Sequence, residues 1–328
     1  HGLDQRRLDG VQLLAGGFTN FTQDHLDYHG TMEDYFHTKR SLFLAPNLKH
    51  AVINVDDEYG QRLMADPAIT AEKMSYGFSA QADVRIVTWT SNGSSTKASI
   101  STPWGDADFT LNMVGDFNLA NVLAAISLLV LNNVASLTDV ISALDQVSSA
   151  PGRMQTYSKV GCANAVIDFA HTPAALENVL STLAKDINSR SADSRLAVVF
   201  GCGGNRDTDK RPKMANIAQA IADRVIFTAD NPRTEKVENI IQDMQAGLPS
   251  NLGDKADKQI SIEIDRSKAI QSAVAELTAN DVLLIAGKGH ENYQDIDGVK
   301  IPYSDESVLL GLGYHLVNHF HGNVEGSL

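Results

Sequence analysis

The second half of the chain alternates short apolar runs with amphipathic ones, and this alternation constrains the fold more than any other feature. AVID (165–168), LAVVF (196–200), RVIFT (224–228), ISIEI (260–264) and VLLIA (282–286) have the length and β-branched content of strands. Between them, residues 172–187, 212–222, 237–248 and 267–277 carry helical periodicity. Parallel neighbours need a crossover, so this pattern predicts an α/β unit with a mainly parallel sheet and helices on both faces. In such sheets ligands sit beyond the carboxyl ends of the strands. Function is therefore to be sought in the loops that follow these strands.

Four of those loops carry chemistry. In DFAHTP (168–173), Thr172 can cap the next helix with Pro173 at its first position, which leaves Asp168 and His171 at the strand end. In GCGGNRD (201–207), three glycines allow close backbone approach and Arg206 can clamp a carboxylate. The dinucleotide spacing G-x-G-x-x-G fails there, because position 206 is Arg. ADNPRTE (229–235) combines turn chemistry with Asp230, Asn231 and Arg233. GKGHENYQ (287–294) sets Lys288, His290 and Glu291 in a glycine-rich turn after Gly287. Each alone reads as a solvated turn. Together they suit a zwitterion, with Arg206 and Arg233 for carboxylates and Asp230 and Glu291 for ammonium groups.

The first half is less regular. AVIN (51–54) and VRIVTW (84–89) are strand-like, and ASIS (98–101) can pair antiparallel with DFTL (108–111). Residues 33–43 predict a helix bearing Lys39, residues 118–131 a long apolar helix, and residues 137–147 another. Asn118 can cap the long helix, leaving Asn121 as a surplus amide. TNFTQDHLDYHG (19–30) brings His25, Asp27 and His29 close in sequence. These residues alone leave a divalent metal and a hydrogen-bonded turn equally open. APGR (150–153) has the breakers of a linker, so domains are expected at 1–150 and 151–328.

Bulk properties exclude several classes. With 328 residues the chain can bury two cores. Lys and Arg number 27 against 40 Asp and Glu, a net charge of −13, and no basic block argues for nucleic acid. No apolar run approaches the roughly 18–20 residues that span a bilayer, so membrane insertion is not expected. Cys162 and Cys202 form neither a disulfide framework nor a zinc spacing, which fits a reducing cytoplasm. The first residues lack the apolar stretch of a signal peptide.

With HGLDQRR, TNFTQDHLDYHG, GDFNLANVLAA, APGRM, DFAHTP, FGCGGNRDTDKRP, DNPRTE and GKGHENYQ in this order, the sequence resembles the Mur ligases of peptidoglycan synthesis. The likeness runs from His1 to about Leu310 and is nearest the branch that adds the third residue of the stem peptide. It implies a central ATP-binding domain followed by a Rossmann-like amino-acid-binding domain. It also implies ATP-dependent joining of meso-diaminopimelate to UDP-N-acetylmuramoyl-L-alanyl-D-glutamate, with Mg2+, through an acyl phosphate. By position, Lys39 (as a carbamate) and His25 would hold the metal, and Lys39, His25 and His171 would serve catalysis. Gln5, Arg7 and Lys39 would meet the UDP-muramoyl-dipeptide, and Asn121, Arg153 and Asp168 the nucleotide. Arg206, Asp230, Asn231, Arg233, Gly287 and Glu291 would form the diaminopimelate pocket. The Arg of DNPR marks diaminopimelate in this resemblance, because that ligand's second carboxylate can pair with it and lysine has none.

Three departures matter. Phe169 stands where Tyr is common, and Ala174 where the family usually has Asp. The phosphate-cradling G-x-x-x-x-G-K-[ST] is not found, since the one Gly-Lys, at 287–288, is followed by Gly. In the family that loop and a UDP-binding domain precede the segment matched here. The expectation is therefore a truncated ATPase domain plus a complete amino-acid-binding domain, inactive alone. Alternatives are a non-catalytic amino-acid-binding module, a lysine-adding ligase, and a relative such as folylpolyglutamate synthase.

Overall fold

A computed structural model describes residues 1–91, 95–188, 193–249 and 259–317. The chain divides into two compact units, His1–Val147 and Ser148–Leu328.

The first unit holds a six-stranded sheet of β1 (Ala15–Phe18), β2 (His50–Asn54), β3 (Glu72–Gly77), β4 (Val84–Ser91), β5 (Thr96–Thr102) and β6 (Gly105–Leu111), in that spatial order. β1 to β4 run parallel, and β4, β5 and β6 form an antiparallel meander. The expected pairing of 98–101 with 108–111 is present, with Ala98 opposite Phe109. The helices are α1 (Leu26–His29), α2 (Met32–Ser41), α3 (Glu58–Ala65), α4 (Asp116–Leu131) and α5 (Leu137–Ala143). Leu119, Leu123 and Ile126 of α4 are buried with Val52, Val84 and Ile100 of the sheet. This fits the nearly all-apolar composition of that helix. α4 starts two residues before the expected cap. Gly115 takes φ 99° at the cap position, and Asn118 instead donates Nδ2 to the Val114 carbonyl at 2.8 Å. A glycine reaches that backbone conformation without a Cβ penalty, and the first turn has no side-chain cap.

The second unit has the predicted parallel sheet. Its strands are β7 (Gln155–Ser158), β8 (Asn164–Asp168), β9 (Leu196–Phe200), β10 (Arg224–Phe227), β11 (Gln259–Ile262) and β12 (Val282–Ala286), then the hairpin β13 (Tyr293–Ile296) and β14 (Val299–Pro302), and β15 (His315–Leu316). The sheet order is β11-β10-β9-β12-β8-β7-β15, with β8 to β12 all parallel and β7 and β15 antiparallel at the edge. β12, last of the parallel strands in sequence, therefore enters between β8 and β9. The helices are α6 (Pro173–Asn188), α7 (Lys210–Ile221), α8 (Val237–Gln245), α9 (Arg266–Glu276) and α10 (Asp305–Gly311). Ala165, Val199, Leu283 and Ile285 pack with Ala269, Ile270 and Ala273 of α9. Successive strand residues alternate faces, so Val166, Val198 and Leu284 point the other way, where α6 and α7 lie. Thr172 accepts from the Ala175 amide at 3.3 Å and Pro173 opens α6, as the sequence predicts.

Candidate functional site

The loops after β9, β10 and β12 meet at the carboxyl end of the second sheet. They approach by backbone, which is why glycine is needed there. A Cβ on Gly204 would fall 1.9 Å from the Pro232 carbonyl oxygen. The Gly204 amide donates to the Asn231 carbonyl at 2.9 Å, and Arg233 Nη1 donates to the Gly204 carbonyl at 2.7 Å. Arg233 itself is held in the left-handed region, φ 52°. Its amide donates to the Asp295 carbonyl at 2.9 Å, and the Asp297 amide donates back to its carbonyl at 2.7 Å. The β13–β14 hairpin thus braces the loop and aims a half-buried guanidinium, of whose five N–H groups one is engaged among the described residues.

Beside it lies a compact charged cluster. Lys288 is wholly buried, and its Nζ donates to Asn231 Oδ1 at 3.1 Å, Glu291 Oε2 at 3.1 Å and Asp230 Oδ1 at 3.4 Å. Asn231 Nδ2 donates to the same Glu291 oxygen at 2.9 Å. The two acids expected to receive ammonium groups are therefore already neutralised in part by a resident one. Gly287 takes φ 111° and donates its amide to the Asp168 carbonyl at 3.1 Å, tying this loop to the end of β8. Arg206 is exposed on the β9 loop.

Buried ion pairs hold the strand ends beneath the cluster. Arg266 makes two 2.8 Å bonds to Asp305 and also donates to the carbonyls of Ala286 at 2.9 Å and Ala229 at 3.4 Å. Those carbonyls belong to the residues just before Gly287 and Asp230. Arg211 donates to both Glu235 oxygens, at 3.0 and 2.9 Å, to Asp243 at 2.8 Å and to the Gly203 carbonyl at 3.1 Å. The Arg211 hydrogen bonds hold the Glu235 carboxyl below its usual range. The last acid of DNPRTE is thus a brace for the loops. Sequence reasoning quoted Lys288 without assigning it and missed Arg211 and Arg266. Lys288 and Arg211 lie inside quoted motifs, whereas no local signal marks Arg266.

At β8 the Asp168 oxygens accept from the amides of Met154 at 2.9 Å and Ala170 at 2.7 Å, and burial pushes this carboxyl up. The Arg153 guanidinium lies 4.7 Å from the Phe169 ring, which packs against His171 at 4.7 Å and His290 at 5.8 Å. His171 Nδ1 is 2.8 Å from the Phe169 carbonyl. A carbonyl can only accept, so Nδ1 carries a proton and donates it there.

In the first unit, Tyr35 collects the other candidates. Its ring lies 5.4 Å from Lys39 Nζ, 6.0 Å from the His25 ring and 4.7 Å from the His29 ring. His25, Asp27 and His29 do not form a metal cluster by themselves. Among the described residues no three His, Cys, Asp or Glu side chains are grouped to hold an ion. Burial pushes the His29 imidazole down. Lys39 is exposed on α2, Asn121 is exposed on α4, and Gln5 and Arg7 are exposed in the turns before β1.

Two family models match this chain. The Mur ligase middle domain matches residues 1–129, and the Mur ligase glutamate ligase domain matches residues 152–289. The chain belongs to the Mur ligase family. It is 46% identical over 312 residues to the UDP-N-acetylmuramoyl-L-alanyl-D-glutamate--2,6-diaminopimelate ligase of Neisseria meningitidis serogroup A, covering 94% of this chain and 61% of that protein. It is 46% identical over 307 residues to the ligase of the same name from Chromobacterium violaceum, covering 93% and 60%. A solved structure of a ligase with that name aligns at TM-score 0.57 and 35% identity, over 95% of this chain and 62% of the other. This Mur ligase chain thus spans about three fifths of the length of the relatives it matches. Among the described residues no helix is long and apolar enough to cross a membrane.

Proposed function

We propose that this chain contributes the amino-acid pocket, and part of the nucleotide site, of a cytoplasmic ligase that joins meso-2,6-diaminopimelate to UDP-N-acetylmuramoyl-L-alanyl-D-glutamate at the expense of ATP. The observation that carries this reading is Arg233. Its half-buried guanidinium makes one hydrogen bond among the described residues, so its other N–H groups can serve a ligand, on the loop that carries Asp230 and beside the loop that carries Glu291. A forked cation beside acids matches an amino acid with a second carboxylate at its far end. Asn231, Gly287 and Arg206 complete the pocket on the joined loops.

In the proposed reaction ATP phosphorylates the D-glutamate γ-carboxylate, the diaminopimelate amine attacks the acyl phosphate, and phosphate leaves. Arg153 and Asp168 would be the nucleotide residues of the second unit, where Arg153 is carried beside an aromatic surface at Phe169, and Asn121 that of the first. His171, its ring fixed by the Nδ1 bond to the Phe169 carbonyl, sits on the same loop. Gln5 and Arg7 would meet the UDP-muramoyl-dipeptide. The residues near Tyr35 suit Mg2+ if Lys39 is carbamylated, since the carbamate replaces a cation by an oxygen ligand of the kind a hard ion takes, and His25 is near the same Tyr35 ring. Bound Mg2+ would offset the charge brought together in phosphoryl transfer. Labelled bicarbonate tests the carbamate. A carbon-13 carbamate resonance should appear with this chain and vanish in Lys39→Arg, and its absence from both would remove the ligand assignment.

Calorimetric titration of the 328-residue chain with meso-diaminopimelate and with L-lysine tests the pocket. Tighter binding of diaminopimelate is expected. Binding of neither, or equal binding of both, overturns the reading. Phosphate release with all three substrates then separates a complete catalyst from a binding module, which would bind but not turn over.

A further inference from the structure

Lys288 has no role in the pocket described so far, yet its setting is unusual. A fully buried ammonium is costly unless oxygens surround it. Three do so, from two loops: Asp230 and Asn231 after β10, and Glu291 after β12. Asn231 closes the ring by donating to Glu291, and the Asp295 amide fixes its Oδ1 at 3.0 Å. The Tyr293 ring, 5.8 Å from Nζ, lies close to the cluster. The ammonium has no solvent exposure, whereas the side chains of Asp230 and Glu291 keep 10% and 24%. The lysine therefore stands behind the acids and a ligand would meet the acids. In direct contact are two carboxylates and one ammonium, leaving one net negative charge.

We propose that Lys288 is a specificity-determining positioning residue, whose ammonium sets the spacing of Asp230 and Glu291 and reduces their combined charge to one. It acts through those acids on the ligand. Diaminopimelate, with two carboxylates and two ammonium groups, is neutral overall, whereas lysine carries one extra positive charge. A cluster of two uncompensated carboxylates would favour the more positive ligand, so the buried ammonium works against lysine independently of Arg233. This rests on the reading of the pocket as a diaminopimelate site.

The test is calorimetry on the 328-residue chain with meso-diaminopimelate and L-lysine, with circular dichroism as the check on folding. In Lys288→Met the ratio of diaminopimelate to lysine affinity should fall by about tenfold or more, because the pocket becomes one charge more negative. Lys288→Arg, which keeps the charge, should retain part of the ratio. The double variant Lys288→Met/Glu291→Gln restores one net negative charge and should recover part of the ratio, even with weaker binding. A wild-type ratio in folded Lys288→Met overturns the inference and leaves the pocket reading intact. So does a folded double variant with no preference. Failure of both Met variants to fold also overturns it, since Lys288 is then a folding determinant. If the wild-type chain binds neither amino acid, the pocket reading and this inference fall together.

Discussion

Arg266 and Asp305 form a fully buried ion pair with two 2.8 Å hydrogen bonds, and the same guanidinium reaches the carbonyls of Ala286, at the end of β12, and Ala229, two residues past β10. One side chain thereby ties together the chain after β10 and the end of β12, the two parallel strands that flank β9 and from which pocket loops depart. Removing one partner strands the other charge in the core. Arg266→Met should destabilise the second unit by roughly 3–5 kcal/mol. Urea unfolding followed by the circular dichroism signal measures this, and a loss below about 1 kcal/mol would mean the pair is replaceable.

Arg233→Ala should separate binding from fold. Among the described residues the guanidinium makes one hydrogen bond, to Gly204, so stability should change little. Diaminopimelate affinity should fall by roughly tenfold to a hundredfold, the usual worth of hydrogen bonds to a charged group. Lysine affinity should hold or rise as a nearby cation is lost. Titration of both amino acids reads the outcome, and unchanged selectivity would remove Arg233 from the pocket.

Gly204→Ala should open the site by steric force alone. The new methyl would sit 1.9 Å from the Pro232 carbonyl oxygen, and backbone must yield. The bonds from Gly204 to Asn231 and from Arg233 to Gly204 lengthen together. The expected result is loss of diaminopimelate binding by more than about tenfold, with the fold retained. A crystal structure of the variant with these two contacts unaltered would contradict the argument.

Asp281 gives the second unit an acid-side dependence. Burial pushes its carboxyl up, but bonds from the Thr278 amide at 2.8 Å and the Arg195 amide at 2.7 Å, with the side chains of both residues at 3.0 and 3.1 Å, outweigh burial and hold it below the usual value. A carboxyl depressed in the folded state stabilises above its unfolded value, near 3.8, and that contribution is lost as pH falls through the folded value. Asp281→Asn should therefore lower stability at pH 7 and flatten the loss between about pH 5 and 2. Parallel slopes for variant and wild type in chemical denaturation across that range would refute it.

Much of this was legible in the one-dimensional chain. Five apolar runs of strand length, separated by amphipathic ones, required parallel pairing, and the rule for such sheets pointed to the loops that meet here. Thr172 and Pro173 announced the start of α6 because capping is local. Legibility failed where a choice depended on partners far away. Asn118 had the chemistry of a cap, but the helix begins earlier, at Asp116, with Gly115 in the cap position. His25, Asp27 and His29 are close in sequence, yet it is the two imidazole rings that are gathered with Lys39 around Tyr35.

The sequence alone determined the class of fold, the strand ends that matter and the family, since these depend on periodicity and on residue types at short spacing. Tertiary structure decided which charges face a ligand. Asp230, Glu291 and Lys288 are separated by up to 61 positions in the chain, and Arg266 and Asp305 by 39. Whether an acid is open or already paired depends on the low-dielectric contacts that only the folded sheet brings together. The sheet order, with β12 entering between β8 and β9, sets the GKGHE turn beside DNPR and places a buried ammonium behind its acids.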